Sequence, residues 1–283
     1  MSIAETAALE AAARRIETPC GPDGRMVWRV WEATGDSPHA PVLLLHGGSG
    51  SWRHWVRSIP LLTREGRQVV APDLPGLGES DMPPPPLEPG AVAAIIAAGL
   101  PAVFGEARPH LVGFSFGAML SGHVAALAEA RLRSLAVLGA GGLGLPRAEV
   151  ILQKVRDRSG EARVAAHRFN LEALMLADPA TVDEAALAIQ EWNTVHARLR
   201  SRGFAAGDSL RNALARTHLP LLALWGDRDS VARDNLQARL GVVREVRPDA
   251  RLAVVPGAGH WVSYEAPEPL HRELEAFWGA LPG

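Results

Sequence analysis

The stretch His110 to Leu120, "HLVGFSFGAML", sets one small polar residue, Ser115, between two phenylalanines and two glycines. The run before it is apolar enough for a buried strand, and the run after it reads as a buried helix. A serine at such a junction is either a helix N-cap or a nucleophile. The second reading requires a base elsewhere in the chain and an acid to orient that base.

Outward from this junction, short apolar runs alternate with glycine-rich loops and helical stretches. "PVLLLHGG" begins at Pro41, "RQVVAPDLPGLG" at Arg67, "RSLAVLGAGG" at Arg133, "LPLLALWGDRD" at Leu219 and "ARLAVVPGAGHW" at Ala250. An earlier run, "RMVWRVWEA" from Arg25 to Ala33, alternates as a half-exposed strand does. Continuous apolar strands alternating with helices predict an α/β fold, a mostly parallel sheet flanked by helices. Between Gly144 and about His218 the strand signal stops and helical patterns take over. Thr181 and Glu184 stand in capping-box spacing there. Val182, Ala185, Ile189, Trp192 and Leu199 recur on one helical face. The expected organisation is a core of residues 1–143 and 214–283 with a helical lid, 144–213, inserted in it.

Composition bounds the class. The chain has 283 residues, is 47% hydrophobic and 21% charged, and carries a formal charge of −2, which suits a globular protein and argues against nucleic acid as a partner. The single cysteine, Cys20, excludes an internal disulfide and is read as structural. Glu5 and Glu10 interrupt the N-terminal segment where an export signal needs an apolar core, so the cytoplasm is the expected location. "PGAVAAIIAAGLPAVFG", Pro89 to Gly105, is too short for a membrane span and contains Gly99 and Pro101, so it is read as a helix covering the sheet. A small-molecule substrate is the expected partner, with no membrane and no oligomeric state specified.

Loops at the carboxyl ends of parallel strands line the crevice of such a sheet, so chemistry belongs there. Gly113-Phe114-Ser115-Phe116-Gly117 fits the G-x-S-x-G turn that thrusts a serine above the sheet edge. His260, in "PGAGHW" after the last apolar strand, is the expected base. Asp229 of "LWGDRDS" is taken as the acid in preference to Asp227, which lies nearer the glycine and is expected to shape the turn. The backbone N–H of Phe116 and that of Gly48, in "HGGSG", are the expected oxyanion donors. His46 is read as a scaffold for its loop. Trp52, Trp55 and Trp261 stand beside these loops as core or pocket wall, and Trp52 and Trp261 are taken as lining. His167 and His196 fall on lid helices.

"HGG", "DLPGLGES", "GFSFG", "WGDRD" and "GHW" together resemble the α/β-hydrolase fold family, in family order and across nearly the whole chain outside the lid. The resemblance implies a serine hydrolase and assigns the acid to Asp229. Trp261 after the histidine is similar to the branch that cleaves carbon–carbon bonds of aromatic ring-fission products. Those enzymes carry asparagine where this chain has Phe114. They grip the substrate's acid group with a lid arginine where a rough alignment puts Gln190. An apolar wall disfavours an unpaired carboxylate, so small neutral esters are the expected substrates, ahead of a ring-fission dienoate. Arg198, Arg200 and Arg202 follow on the same expected helix and supply charge only if one turns inward. The same acyl-enzyme chemistry serves a perhydrolase or acyltransferase, and a triad-retaining ligand receptor is the non-enzymatic alternative.

"GAGGLG", Gly139 to Gly144, matches G-x-G-x-x-G, but Pro146 and a charged stretch follow where the fingerprint requires a helix and a second strand. It is read as the exit into the lid. No zinc-type histidine or cysteine spacing occurs, and neither metal nor cofactor is expected.

Overall fold

In the computed structural model, which describes residues 2–35, 39–200, 203–204 and 207–281, every run read above as a strand becomes a strand of one sheet. The strands are β1 (Arg14–Pro19), β2 (Arg25–Trp31), β3 (Val42–Leu45), β4 (Val69–Pro72), β5 (His110–Phe114), β6 (Ser134–Leu138), β7 (Leu221–Gly226) and β8 (Arg251–Val255). Their spatial order is β1-β2-β4-β3-β5-β6-β7-β8. Pairing is antiparallel at β1–β2 and β2–β4 and parallel from β4 onward. The fold is the expected α/β sheet.

β1 was not legible as a strand. It is an edge strand with most side chains in solvent, and its charges (Arg14, Arg15, Glu17) protect an open edge rather than mark a core. Thr18 is its one buried residue, accepting a hydrogen bond from Trp28 Nε1 at 2.8 Å.

The helices are α1 (Ile3–Ala11), α2 (Ile59–Arg64), α3 (Pro89–Phe104), α4 (Phe116–Ala128), α5 (Gly160–Asn170), α6 (Glu184–Val195), α7 (Ser209–Leu214), α8 (Leu236–Val246), α9 (Val262–Glu265) and α10 (Pro267–Gly279). Successive strand residues feed opposite faces of the sheet. Leu43, Leu45 and Leu111 join the core with α3, α4 and α8, whereas Val42, Leu44 and Val112 join the one with α2 and α10. Burial on both faces explains the continuous apolar runs. No helix among the described residues is long and apolar enough to cross a membrane.

Between β6 and β7 lie α5, a π turn (Leu171–Met175), α6 and α7. Three details differ from the sequence reading. α6 starts after Asp183, whose carboxylate accepts from Ala186 N–H at 2.8 Å; Thr181 Oγ1 instead donates to Asp178 O at 2.6 Å, so no capping box with Glu184 forms. The helix ends at Val195, because the chain then straps onto the loop after β4: the N–H groups of Arg198 and Leu199 both donate to Gly76 O. At the far end of the expected insertion, α7 packs against α4, with Leu210 and Leu214 in the core.

A tight approach in the molecule's centre is at Gly117, the first glycine of α4. A Cβ there would lie 2.3 Å from Leu45 O and 2.5 Å from His46 O, both backbone atoms that cannot swing aside. Gly117→Ala is therefore expected to lower stability by about 1–3 kcal/mol. Gly241→Ala, in α8 with open space around it, is expected to raise it by up to about 1 kcal/mol. Denaturant midpoints of the two variants check both signs.

Candidate active site

β5 ends in a sharp turn whose apex is Ser115. Its backbone takes φ 53° and ψ −110°, the left-handed side of the map that non-glycine residues avoid. The turn is held from both sides: Ser115 N–H donates to Leu138 O at 2.8 Å, and Ser115 O accepts from Met119 N–H at 3.2 Å. Strain of this kind costs on the order of 1–3 kcal/mol and persists where packing enforces it.

The loops after β7 and β8 open on the same sheet edge. His260 Nε2 lies 3.0 Å from Ser115 Oγ, and His260 Nδ1 lies 2.8 Å from Asp229 Oδ2. A carboxylate only accepts, so Nδ1 carries the proton and Nε2 is left to accept from the serine hydroxyl. Asp229 is 1% exposed, and its other oxygen accepts from Val231 N–H at 2.8 Å. Asp227 sits in the turn and accepts from Gly257 N–H at 2.7 Å, away from His260.

A cavity of about 590 Å³ opens above Ser115 and His260, with Gly47, Gly48, Phe114 and Phe116 in its walls. Gly47 N–H is spent on His54 Nδ1 at 3.2 Å. The N–H groups of Gly48 and Phe116 have no acceptor among the described residues. Phe116 N–H is also the first of a helix, where the dipole favours negative charge.

His46 holds the glycine loop rather than facing the cavity. Its Nε2 accepts from Leu74 N–H at 2.9 Å and its Nδ1 donates to Gly47 O at 2.8 Å. Burial pushes its pKa down to about 4, with the Gly47 bond only partly opposing.

Other expected wall residues divide. Phe114 and Gln190 line the cavity. Trp261 does not: it is fully buried, stacked on Tyr264 at 4.3 Å, with Nε1 donating to His54 O at 2.8 Å. Nor does Trp52, which lies in the core with the guanidinium groups of Arg29 and Arg53 at 5.5 and 5.0 Å from its ring. Both tryptophans carry more apolar area than their loops can expose, so they anchor the loops from behind. Arg198 bonds Gly78 O at 3.1 Å and Ser80 O, Arg200 is exposed, and neither reaches the cavity. Arg202 lies outside the described residues. His167 is buried against Glu191 at 2.6 Å, and His196 stacks on Trp192 at 3.9 Å; neither lines the cavity. Buried Cys20 has its thiol pushed up to about 11, mainly by burial.

Two groups of cavity residues escaped the sequence reading. Arg147, Lys154 and Arg156, with Asp157, reach the rim from the irregular segment before α5. Asn170 holds that segment with two bonds to the backbone of Gln153, at 2.7 and 2.9 Å. In sequence it reads only as a charged exit from "GAGGLG". The other is His54, on the turn after the glycine loop, which no motif marks.

Comparison with known proteins fits this geometry. A sequence model of the Alpha/beta hydrolase family matches residues 42–273. The chain belongs to that family. The chain is 32% identical over 263 residues to the dihydrolipoyllysine-residue acetyltransferase component of the acetoin cleaving system of Pseudomonas putida, a match covering 87% of this chain. The chain spans 65%, less than two thirds, of that relative's length. It is 26% identical over 247 residues to a 2-hydroxy-6-oxo-6-phenylhexa-2,4-dienoate hydrolase of Burkholderia cepacia, covering 82% of this chain and 85% of that one. An esterase from Rhodococcus sp. ECU1013 superposes with a TM-score of 0.75 over 96% of this chain and 100% of its own, at 23% identity, a likeness of fold.

The buried His46 couples this loop to pH. An unfolded histidine takes up a proton near pH 6.5, whereas His46 in the folded protein resists until about pH 4. Its contribution to stability is thus complete above pH 6.5 and is lost as pH falls toward 4, at up to about 1.4 kcal/mol per pH unit. Urea midpoints from pH 7 to 4 should show a shallower acid limb in His46→Asn than in the wild type.

Proposed function

We propose that this hydrolase cleaves a small carboxylic ester or related carbonyl substrate through a Ser-His-Asp triad. The observation that carries the reading is the run of two hydrogen bonds, Ser115 Oγ to His260 at 3.0 Å and His260 to Asp229 at 2.8 Å, at the floor of the cavity. Ser115 Oγ attacks the carbonyl carbon as His260 Nε2 takes its proton, and the Gly48 and Phe116 N–H groups receive the charge that develops on oxygen. His260 then passes the proton to the leaving alcohol. Water repeats the sequence on the acyl-enzyme and frees the acid. Asp229 keeps the imidazole in the tautomer that leaves Nε2 open to the serine. The lid described between β6 and β7 roofs the cavity with Leu174, Met175 and Gln190, and apolar walls suit a small acyl or aryl group.

A second reading is supported by the cations of the rim. Arg147, Lys154 and Arg156 outnumber the single Asp157 there, which offsets the missing charge at Gln190 and suits a substrate bearing a carboxylate. Similarity to the dienoate hydrolase points the same way. Transfer of the acyl group to an acceptor other than water uses the same intermediate, and similarity to the acetyltransferase component keeps that variant in view.

Ser115→Ala is expected to lower turnover by on the order of 10⁴-fold with the fold intact, because only binding and oxyanion terms remain. A tenth of the rate surviving in pure protein would end the proposal. Asp229→Asn should cost far more in kcat than Asp227→Asn, since an amide at 229 favours the wrong imidazole tautomer; the reverse order would reassign the acid. In a side-by-side assay, neutral short-chain aryl esters should exceed a ring-fission dienoate in kcat/KM. A tenfold advantage for the dienoate would establish the second reading instead.

A further inference from the structure

His54 is a second histidine at the cavity, and the triad does not use it. The residue is only 2% exposed, yet it lines the cavity that Gly48, Phe114 and Ser115 also line. The side chain folds back onto the glycine loop, where Nδ1 accepts the Gly47 N–H at 3.2 Å. A neutral imidazole that accepts at one nitrogen carries its proton on the other. Burial, with His46 and His260 nearby, holds the pKa well below the ordinary histidine value, so the ring stays neutral. Its Nε2–H has no acceptor among the described residues, and Nε2 is not one of the atoms sealed within the protein.

The ring is also fixed in place. The His54 carbonyl accepts from Trp261 Nε1 at 2.8 Å and from Ser263 Oγ at 2.9 Å, both on the segment directly following His260. Phe114 packs against the ring at 5.6 Å and Trp261 at 4.9 Å. Gly50 makes room for it, since a Cβ there would lie 2.3 Å from His54 Cε1. The result is a rigid N–H donor beside the glycine loop, packed against Phe114, in a cavity whose lining also includes the apolar side chains of Met119, Leu174 and Met175. A ligand that presents hydrocarbon to such a donor leaves it unpaired and loses affinity.

We propose that His54 donates its Nε2–H to a substrate oxygen other than the scissile carbonyl oxygen, so that the preferred acyl chain carries a second, uncharged acceptor, a keto oxygen, within a few bonds of the cleaved carbonyl. The inference rests on the serine-hydrolase reading above. The scissile oxygen has its own donors, Gly48 and Phe116; His54 holds the residue before Gly48 and therefore stands beside that site. Lys154 and Arg156 at the rim add donors to the same cavity, which suits an oxygen-rich acyl group.

The test compares aryl esters that differ only in one oxygen: 4-oxopentanoate with pentanoate, and 3-oxobutanoate with butanoate. The ratio of kcat/KM within each pair is measured for the wild type, His54→Asn and His54→Gln. Asparagine keeps an acceptor near the Nδ1 position for Gly47 N–H but has nothing at Nε2; glutamine can place an N–H near Nε2. The oxo-to-plain ratio is expected to fall about tenfold in at least one pair in His54→Asn, and to recover in part in His54→Gln. Ratios within twofold of the wild type for both pairs in His54→Asn, whatever loss the two esters share, would overturn the proposal and leave His54 a holder of the loop. A measurement on the unsubstituted enzyme stands beside it. Saturating 4-oxopentanoate or 3-oxobutanoate should move the His54 Nε2–H proton resonance downfield where the plain acid does not, and no difference for either pair would also overturn it. Turnover of the esters surviving in Ser115→Ala would mark failure of the serine mechanism rather than of His54's role.

Discussion

The left-handed backbone at Ser115 is the constraint on which the rest depends. A side chain can stand at that apex only if the strand before it and the helix after it are forced together, and both flanks show how tightly this is done. A Cβ at Gly113 would fall 2.4 Å from Gly117 O, and one at Gly117 would strike the carbonyls of Leu45 and His46. β3, β5 and α4 therefore meet at one point. That meeting brings the glycine loop after β3 beside the N-terminus of α4, placing the Gly48 and Phe116 N–H groups around the same cavity.

Around that point burial holds the imidazoles of His46 and His54 neutral, and each is bonded to the backbone of the glycine loop. Asp73 under the same loop accepts from Trp52 N–H and Glu79 N–H, both at 2.9 Å, while burial still pushes its pKa up. Interiors penalise charge more than they reward it. Fixed dipoles aimed at a reacting oxygen need no reorganisation when charge develops there, and this is the property an oxyanion site requires.

The helices over the cavity are bound to the core by polar contacts as well as apolar ones. Ser51 Oγ, on the glycine loop, donates to Asn193 Oδ1 of α6 at 2.6 Å, and both residues are buried. Arg57 bonds Asp183 at 2.7 Å and Tyr264 O at 2.9 Å. Trp261 N–H donates to Met175 O at 2.7 Å, tying the segment that carries His260 to the π turn. The glycine loop, the loop that carries His260 and the helices between β6 and β7 thus share bonds.

The seven apolar strands, the mostly parallel character of the sheet and the meeting of Ser115, Asp229 and His260 were legible from the chain alone, because each rests on a local pattern. Apolar runs buried on both faces have no other stable use, and loops after parallel strands must open on one edge. Edge strand β1 escaped notice because solvent, not packing, chose its residues. The end of α6 escaped because Gly76, far away in sequence, supplies the carbonyl that captures the chain. Side-chain direction lies beyond local pattern altogether. Trp261 and Trp52 stand next to motif residues yet turn into the core, while His54 and Lys154, without any motif, turn to the cavity. Chain neighbours share a backbone position, but which space a side chain fills is decided by volume and hydrogen bonds contributed from distant segments, and only the tertiary structure assembles those.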